Sequence, residues 1–186
     1  MHPCFFGYGS LVNRATHTYA QAHRAQLVGW RRKWVYTETR GLAFLSVVAD
    51  ADTTIDGLIA EVPNADWAAL DAREYGYARI ASGDSVQHPR DRATDISHYA
   101  VPAETWVEHS GNHILLSYLD VVVQGYLAEF GAGGVANFFA TTDGWDTPVL
   151  DDRTAPRYPR AQTLGAQETA LVDQHLALRG TPIITG

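Results

Sequence analysis

Two short stretches of this 186-residue chain combine residue types that can do chemistry. In Gly7-Tyr8-Gly9-Ser10-Leu11 the glycines let successive backbone amides converge, and a helix starting just beyond would add partial positive charge. Such a turn can hold an anion or a developing oxyanion, although glycines serve plain tight turns as well. The second stretch is Leu70-Asp71-Ala72-Arg73-Glu74-Tyr75-Gly76-Tyr77-Ala78-Arg79. Helical spacing puts Glu74 one turn after Leu70, on the face that carries Trp67, so its carboxylate points toward an apolar interior. Desolvation there lifts a carboxyl toward the range useful for proton transfer. The competing reading is an ion pair from Glu74 to Arg73 or Arg79, with Tyr75 and Tyr77 as packing, and on these residues alone that is the commoner arrangement.

Other constellations fail on spacing. His109 and His113 stand four apart, but Gly111 between them argues against a helix and no nearby carboxylate completes a metal site. Asp50, Asp52 and Asp56-Gly57 lack the remaining ligands of a calcium loop and read as turn residues. No dinucleotide fingerprint, phosphate loop, nucleophile elbow or paired-cysteine motif occurs, so neither metal nor cofactor is indicated. Ser10 has no histidine at a spacing that would activate it, and Cys4 sits in an apolar run where an inert thiol is expected.

Composition narrows the partners. A formal net charge of -7 does not suit a surface that neutralises nucleic-acid phosphates or lies on anionic lipid. The one basic run, Arg31-Arg32-Lys33, reads as a solvated strand face between Trp30 and Trp34, whose indoles turn to the core. A single cysteine excludes an internal disulfide and fits a reducing compartment. With no basic leader followed by an apolar stretch, and no uninterrupted apolar run of about 18 residues, a cytoplasmic location is expected.

The elements that must position these residues can be read from periodicity and punctuation. Residues 4–8 read as a buried strand, and Asn13 as the cap of a helix to about Gln26. Strands are expected over 27–36, 42–48 and 55–62, broken by Gly41 and by Asp50-Ala51-Asp52. Asn64 is expected to cap the helix that carries Glu74, with Gly76 at its end, and strands over 77–87 and 94–101 come next. A buried helix is expected over 114–130, stopped by Gly131, then a short helix over 135–139, an ordered loop over 141–160, a helix over 166–178 and a short tail from Thr181. Length argues for one domain over residues 1–186.

Together, Phe6-Gly7-Tyr8-Gly9-Ser10-Leu11 and Leu70-Asp71-Ala72-Arg73-Glu74 resemble the two signatures of the γ-glutamylcyclotransferase superfamily, which includes ChaC-type and AIG2-like proteins. Leu11 is as in ChaC-type members, whereas Val12-Asn13 stands where those members carry a Trp, a departure that bears on glutathione specificity. Further matches are the Trp30 to Gly41 region, Ile55-Asp56-Gly57, Tyr99, and Ser117-Tyr118-Leu119 with Gly125. The resemblance implies an α+β fold built on a small, partly closed β-barrel with flanking helices. It also implies cyclisation of a γ-glutamyl amine, amino acid or peptide to 5-oxoproline, without a cofactor. Glu74 would be the acid/base and Tyr8, Gly9, Ser10, Leu11 and Tyr99 the substrate contacts. Residues 141–160 match no common motif of the family and read as a lid, a specificity loop or packed connection. The alternatives are a non-catalytic small-molecule-binding protein on the same fold and, behind it, a hydrolase or acyltransferase.

Overall fold

A long hairpin organises the molecule. The computed structural model, which describes residues 2–38, 41–90, 93–108 and 111–185, begins with β1 (His2–Gly7), β2 (His23–Tyr36) and β3 (Ala43–Glu61). The last two pair antiparallel from His23 against Ile59 to Tyr36 against Ala43. Helix α1 (Trp67–Arg73) leads to β4 (Ala78–Ala81), β5 (Val86–Gln87) and β6 (Ala93–Ala100). After β7 (Ile114–Leu115) come α2 (Leu116–Ala140), β8 (Thr142–Asp143), β9 (Val149–Asp151), α3 (Ala166–Arg179) and β10 (Ile183–Thr185). Seven strands form one mixed sheet, in the order β4-β6-β1-β3-β2-β5 with β8 joined to β2, that curls into a half-barrel; β10-β9-β7 form a small parallel sheet. This is the α+β, partly closed barrel with flanking helices that the sequence resemblance implies.

Successive residues of β1 divide between two cores, as a two-residue period requires. Phe6 joins the main core, where Leu27, Trp34, Leu45 and Ile59 meet Leu119, Val122, Tyr126 and Phe138 across the sheet–helix interface. Phe5 joins a smaller cluster with Leu70 and Tyr99 on the opposite face. The central strand therefore runs between the two cores and ends at Gly7.

Several expectations are corrected. Residues 13–26 do not form a helix: two single 3-10 turns, Ser10–Val12 and Arg14–Thr16, precede the start of β2 at His23. Asn13 does accept the Ala15 amide, but its own amide group is tied to the Val121 carbonyl at 2.9 Å and residues from 23 onward are claimed by β3. The aspartates at 50 and 52 do not end β3: residues 50–53 form a bulge opposite Gly29, between the Val28–Thr54 and Trp30–Ala49 pairs, and the strand continues on both sides. The cap of α1 is Asp66, which accepts from Ala68 and Ala69, while Asn64 lies in a separate 3-10 turn. Gly131 interrupts α2 with φ of 68° instead of ending it, so the expected 114–130 and 135–139 helices are one element with a break. The 141–160 stretch carries β8 and β9, and the C-terminal tail supplies β10. His109 lies outside the described residues. No helix among those described is long and apolar enough to cross a membrane.

The basic run is also corrected. Arg32 is not on a solvated face; it is fully buried with Trp34, since residues two apart on a strand share a face.

His98, on β6, is fully buried against the Trp30 ring, and neither ring nitrogen has a hydrogen-bond partner among the described residues. Burial lowers its pKa to about 4. Between that value and about 6.5, where a histidine in the unfolded chain titrates, the unfolded state binds the extra proton. The stability tied to neutral His98 is thus fully present above pH 6.5 and lost as pH falls toward 4, about 3 kcal/mol in all. Chemical denaturation from pH 7 to 4 should show this slope, and His98→Leu should flatten it; an unchanged slope in that variant would assign it to other groups.

Candidate active site

Where β1 ends, the chain turns sharply. Gly7 to Leu11 form one wall of a small cavity of about 40 Å³, and Leu45, Glu74, Tyr77, Tyr99 and Tyr118 complete it. Tyr8, Gly9, Ser10, Leu11, Glu74 and Tyr99, singled out in the sequence, are therefore brought together. A 3-10 turn leaves its leading amides without partners inside the turn, so the wall offers backbone donors. The helix dipole expected behind it is absent, since the turn spans only Ser10–Val12. Positive charge comes instead from buried Arg32, whose Nε donates to the Tyr8 carbonyl at 3.2 Å.

Close approach fixes the turn. A Cβ on Gly9 would stand 2.7 Å from the Tyr118 hydroxyl, and one on Gly125 of α2 only 2.6 Å from the Asn13 amide nitrogen. The backbone of the turn therefore lies directly on α2, with the Tyr118 hydroxyl hydrogen-bonded to the Ser10 backbone.

Glu74 closes α1 as its C-cap, donating its amide to the Leu70 carbonyl. Its side chain is 19% exposed, so the carboxylate is withdrawn from bulk water, and Arg73 Nε lies 3.2 Å from Oε1. The ion pair to Arg73 and the inward carboxylate thus coexist; Arg79 pairs with Asp71 instead. Burial raises the Glu74 pKa, and the charges of Arg73 and Arg160 offset part of that rise. Burial also holds the Tyr8 and Tyr118 hydroxyls well above the ordinary tyrosine range, with the Glu74 charge adding to the effect. These phenols are donors at neutral pH, not bases.

Tyr8 and Tyr99 are linked: Tyr8 OH donates to the Tyr99 carbonyl at 2.6 Å, and Tyr99 OH donates to Asp71 Oδ1 at 2.6 Å. The Tyr99 oxygen keeps acceptor capacity toward the cavity. Two further walls, Tyr77 and Tyr118, are not among the residues expected from the sequence, where Tyr77 reads as packing and Tyr118 as a core position. The signals at Tyr118 are a helical apolar period, which identifies a buried face without saying what that face meets, and its place in the Ser117-Tyr118-Leu119 match to the family, which assigns it no role.

Known proteins give both a family and a fold for the chain. A family model described as ChaC-like protein matches residues 4–110. A solved structure described as a gamma-glutamyl cyclotransferase aligns with a TM-score of 0.54 at 11% identity, covering 92% of this chain and 98% of that one. YkqA from Bacillus subtilis aligns at 0.55 and 16% identity over 77% of this chain and 56% of its own, and the uncharacterized human protein loc79017 at 0.53 and 10% over 91% and 97%. These structures show a shared fold. No curated protein sequence matches the chain.

Proposed function

Because the chain belongs to the ChaC-like protein family, we propose that it is a γ-glutamylcyclotransferase, closing a γ-glutamyl group into 5-oxoproline and releasing an amine, with Glu74 as acid/base. One observation carries this reading: a partly desolvated carboxylate and a row of backbone amides line the same small cavity.

A γ-glutamyl amide carries both reactants, the α-amine and the γ-carbonyl, in one molecule, so the protein has only to hold the folded conformer and move protons. Glu74 accepts a proton from the α-ammonium. The freed amine then attacks the γ-carbonyl carbon to form the five-membered ring, and its carbonyl oxygen takes up negative charge. Amides of the 8–11 turn stabilise that charge, aided by the Arg32 cation behind the Tyr8 carbonyl. Glu74 returns the proton to the leaving nitrogen as collapse of the intermediate breaks the bond to it, and the second proton on the ring nitrogen passes through Glu74 to the released amine, which departs as an ammonium. Tyr99 orients the glutamyl end by accepting from its ammonium.

The test is chromatographic detection of 5-oxoproline after incubation with a set of γ-glutamyl amino acids and amides. Binding without product would favour a binding protein, and free glutamate a hydrolase. Because Glu74 must be ionised to accept a proton, kcat/KM should fall as pH drops through its raised pKa. Arg73 holds that pKa down, so Arg73→Met should move the acid limb to higher pH; an unmoved limb would detach Glu74 from the titration.

A further inference from the structure

The cavity around Glu74 opens into a second, larger chamber of about 350 Å³. The two share Ser10, Leu45, Glu74, Tyr77 and Tyr118, so a group leaving a carbonyl held beside Glu74 occupies the larger one. Among the described residues its wall contains no carboxylate apart from Glu74, yet it contains Arg73, Arg157 and Arg160. Arg73 is neutralised by Glu74. Arg157 and Arg160 are exposed, and neither forms an ion pair among the described residues. On a protein of formal net charge -7, this is a local reversal of sign at the mouth of the site.

Those two arginines are held in place by structure that lies outside the family-matched residues 4–110. Helix α2 has no capping side chain of its own, and Asp152 supplies one: its carboxylate accepts from the Ser117 amide at 2.8 Å and the Ser117 hydroxyl at 2.6 Å. The same carboxylate accepts the Arg157 amide at 2.9 Å, and the Tyr158 amide donates to Ser117 Oγ. The Tyr158 ring meets Tyr118 edge-on at 5.1 Å. The segment is thus pinned to the helix that forms the cavity wall, with Pro159 fixing φ between the two arginines.

Resting on the cyclotransferase reading, we propose that Arg157 and Arg160 select a leaving amine that carries carboxylates, a dicarboxylic amine best, over neutral or cationic amines. Guanidiniums recognise carboxylates by charge-assisted, often bidentate hydrogen bonds. At a solvated mouth the gain is modest per contact, and two contacts amount to a preference of about tenfold or more.

The test compares kcat/KM for 5-oxoproline release from γ-glutamylglutamate, from γ-glutamylglutaminamide, which has no leaving-group carboxylate, and from γ-glutamyllysinamide. The glutamate substrate should lead the diamide by about tenfold, with the lysinamide slowest, and the lead should shrink at about 0.5 M salt through screening. In the R157Q/R160Q double variant the ratio should fall to within about twofold. The ratio is the proper readout, because removing Arg160 also perturbs Glu74 and thereby alters turnover of every substrate alike. A wild-type ratio near one, or a ratio that survives the double substitution, overturns the proposal while leaving the cyclotransferase reading intact. Absence of product from all three substrates overturns both.

Discussion

Glu74→Gln should remain folded and lose 5-oxoproline formation by about three orders of magnitude or more. The amide is nearly isosteric with the carboxylate and keeps an oxygen to accept from Arg73, which lies 3.2 Å away. Arg73 is further supported by the Tyr19 hydroxyl at 3.2 Å and by the Tyr19 ring, so losing its ion pair does not strand it. Stability should shift by no more than about 1 kcal/mol. Proton affinity is what the substitution removes, and no other carboxylate among the described residues lines the inner cavity to replace it. Product quantification beside a thermal melt separates the two roles of Glu74. If the Arg73–Glu74 pair is only structural, the variant melts lower and turns over normally; if Glu74 is the acid/base, turnover collapses in a protein that melts as before.

The parts of this arrangement that are legible in the sequence are those fixed by short-range rules. Strand β1, the turn after it and the inward placement of Glu74 come from two-residue and 3.6-residue periods, which local sequence carries directly. The failures lie where a distant partner outbids local preference. Asn13 looks like a helix cap, and it does cap a single 3-10 turn, but the Val121 carbonyl and the β2–β3 pairing decide the conformation of the residues beyond it. Asp50 and Asp52 look like a break and do sit in a bulge of the β2–β3 pairing, yet the ladders on both sides carry the strand through it. Tyr77 and Tyr118 join the cavity only once the barrel curls and α2 is laid against it, and nothing in their spacing announces that. Arg32 is different, because its signal is present in the chain. Trp30, Arg32 and Trp34 share one strand face, so burial of the indoles implies burial of the guanidinium between them.

That buried guanidinium underlies the second large effect expected, in Arg32→Met. Nη1 donates to Thr141 Oγ1 at 2.8 Å, Nε to the Tyr8 carbonyl, and Nη2 to the Asp56 carbonyl and the Tyr126 hydroxyl. The group packs beside the adjoining Tyr126 and Phe138 rings, 5.0 and 5.2 Å from their centroids, with no carboxylate partner among the described residues. A buried cation without a counter-ion is tolerated because four of its five N–H donors find an oxygen and two aromatic rings lie close by. Methionine fills much of the volume and restores none of the donors. Tyr126 OH lies 2.9 Å from the Tyr8 carbonyl and 2.7 Å from that of Asp56, but one proton cannot serve both, so a buried carbonyl is left unpaired. The loss should be about 3 kcal/mol or more, a fall in Tm on the order of 10 °C for a chain of this size. Turnover measured well below that Tm should fall too, because the Tyr8 carbonyl is the point at which the amide-bearing turn is anchored from behind. Arg32→Lys, which keeps the charge but not the planar fork, should lie between wild type and Arg32→Met in both respects. A methionine variant that melts within about 1 kcal/mol of wild type would mean the barrel, and not this cation, holds the turn in place.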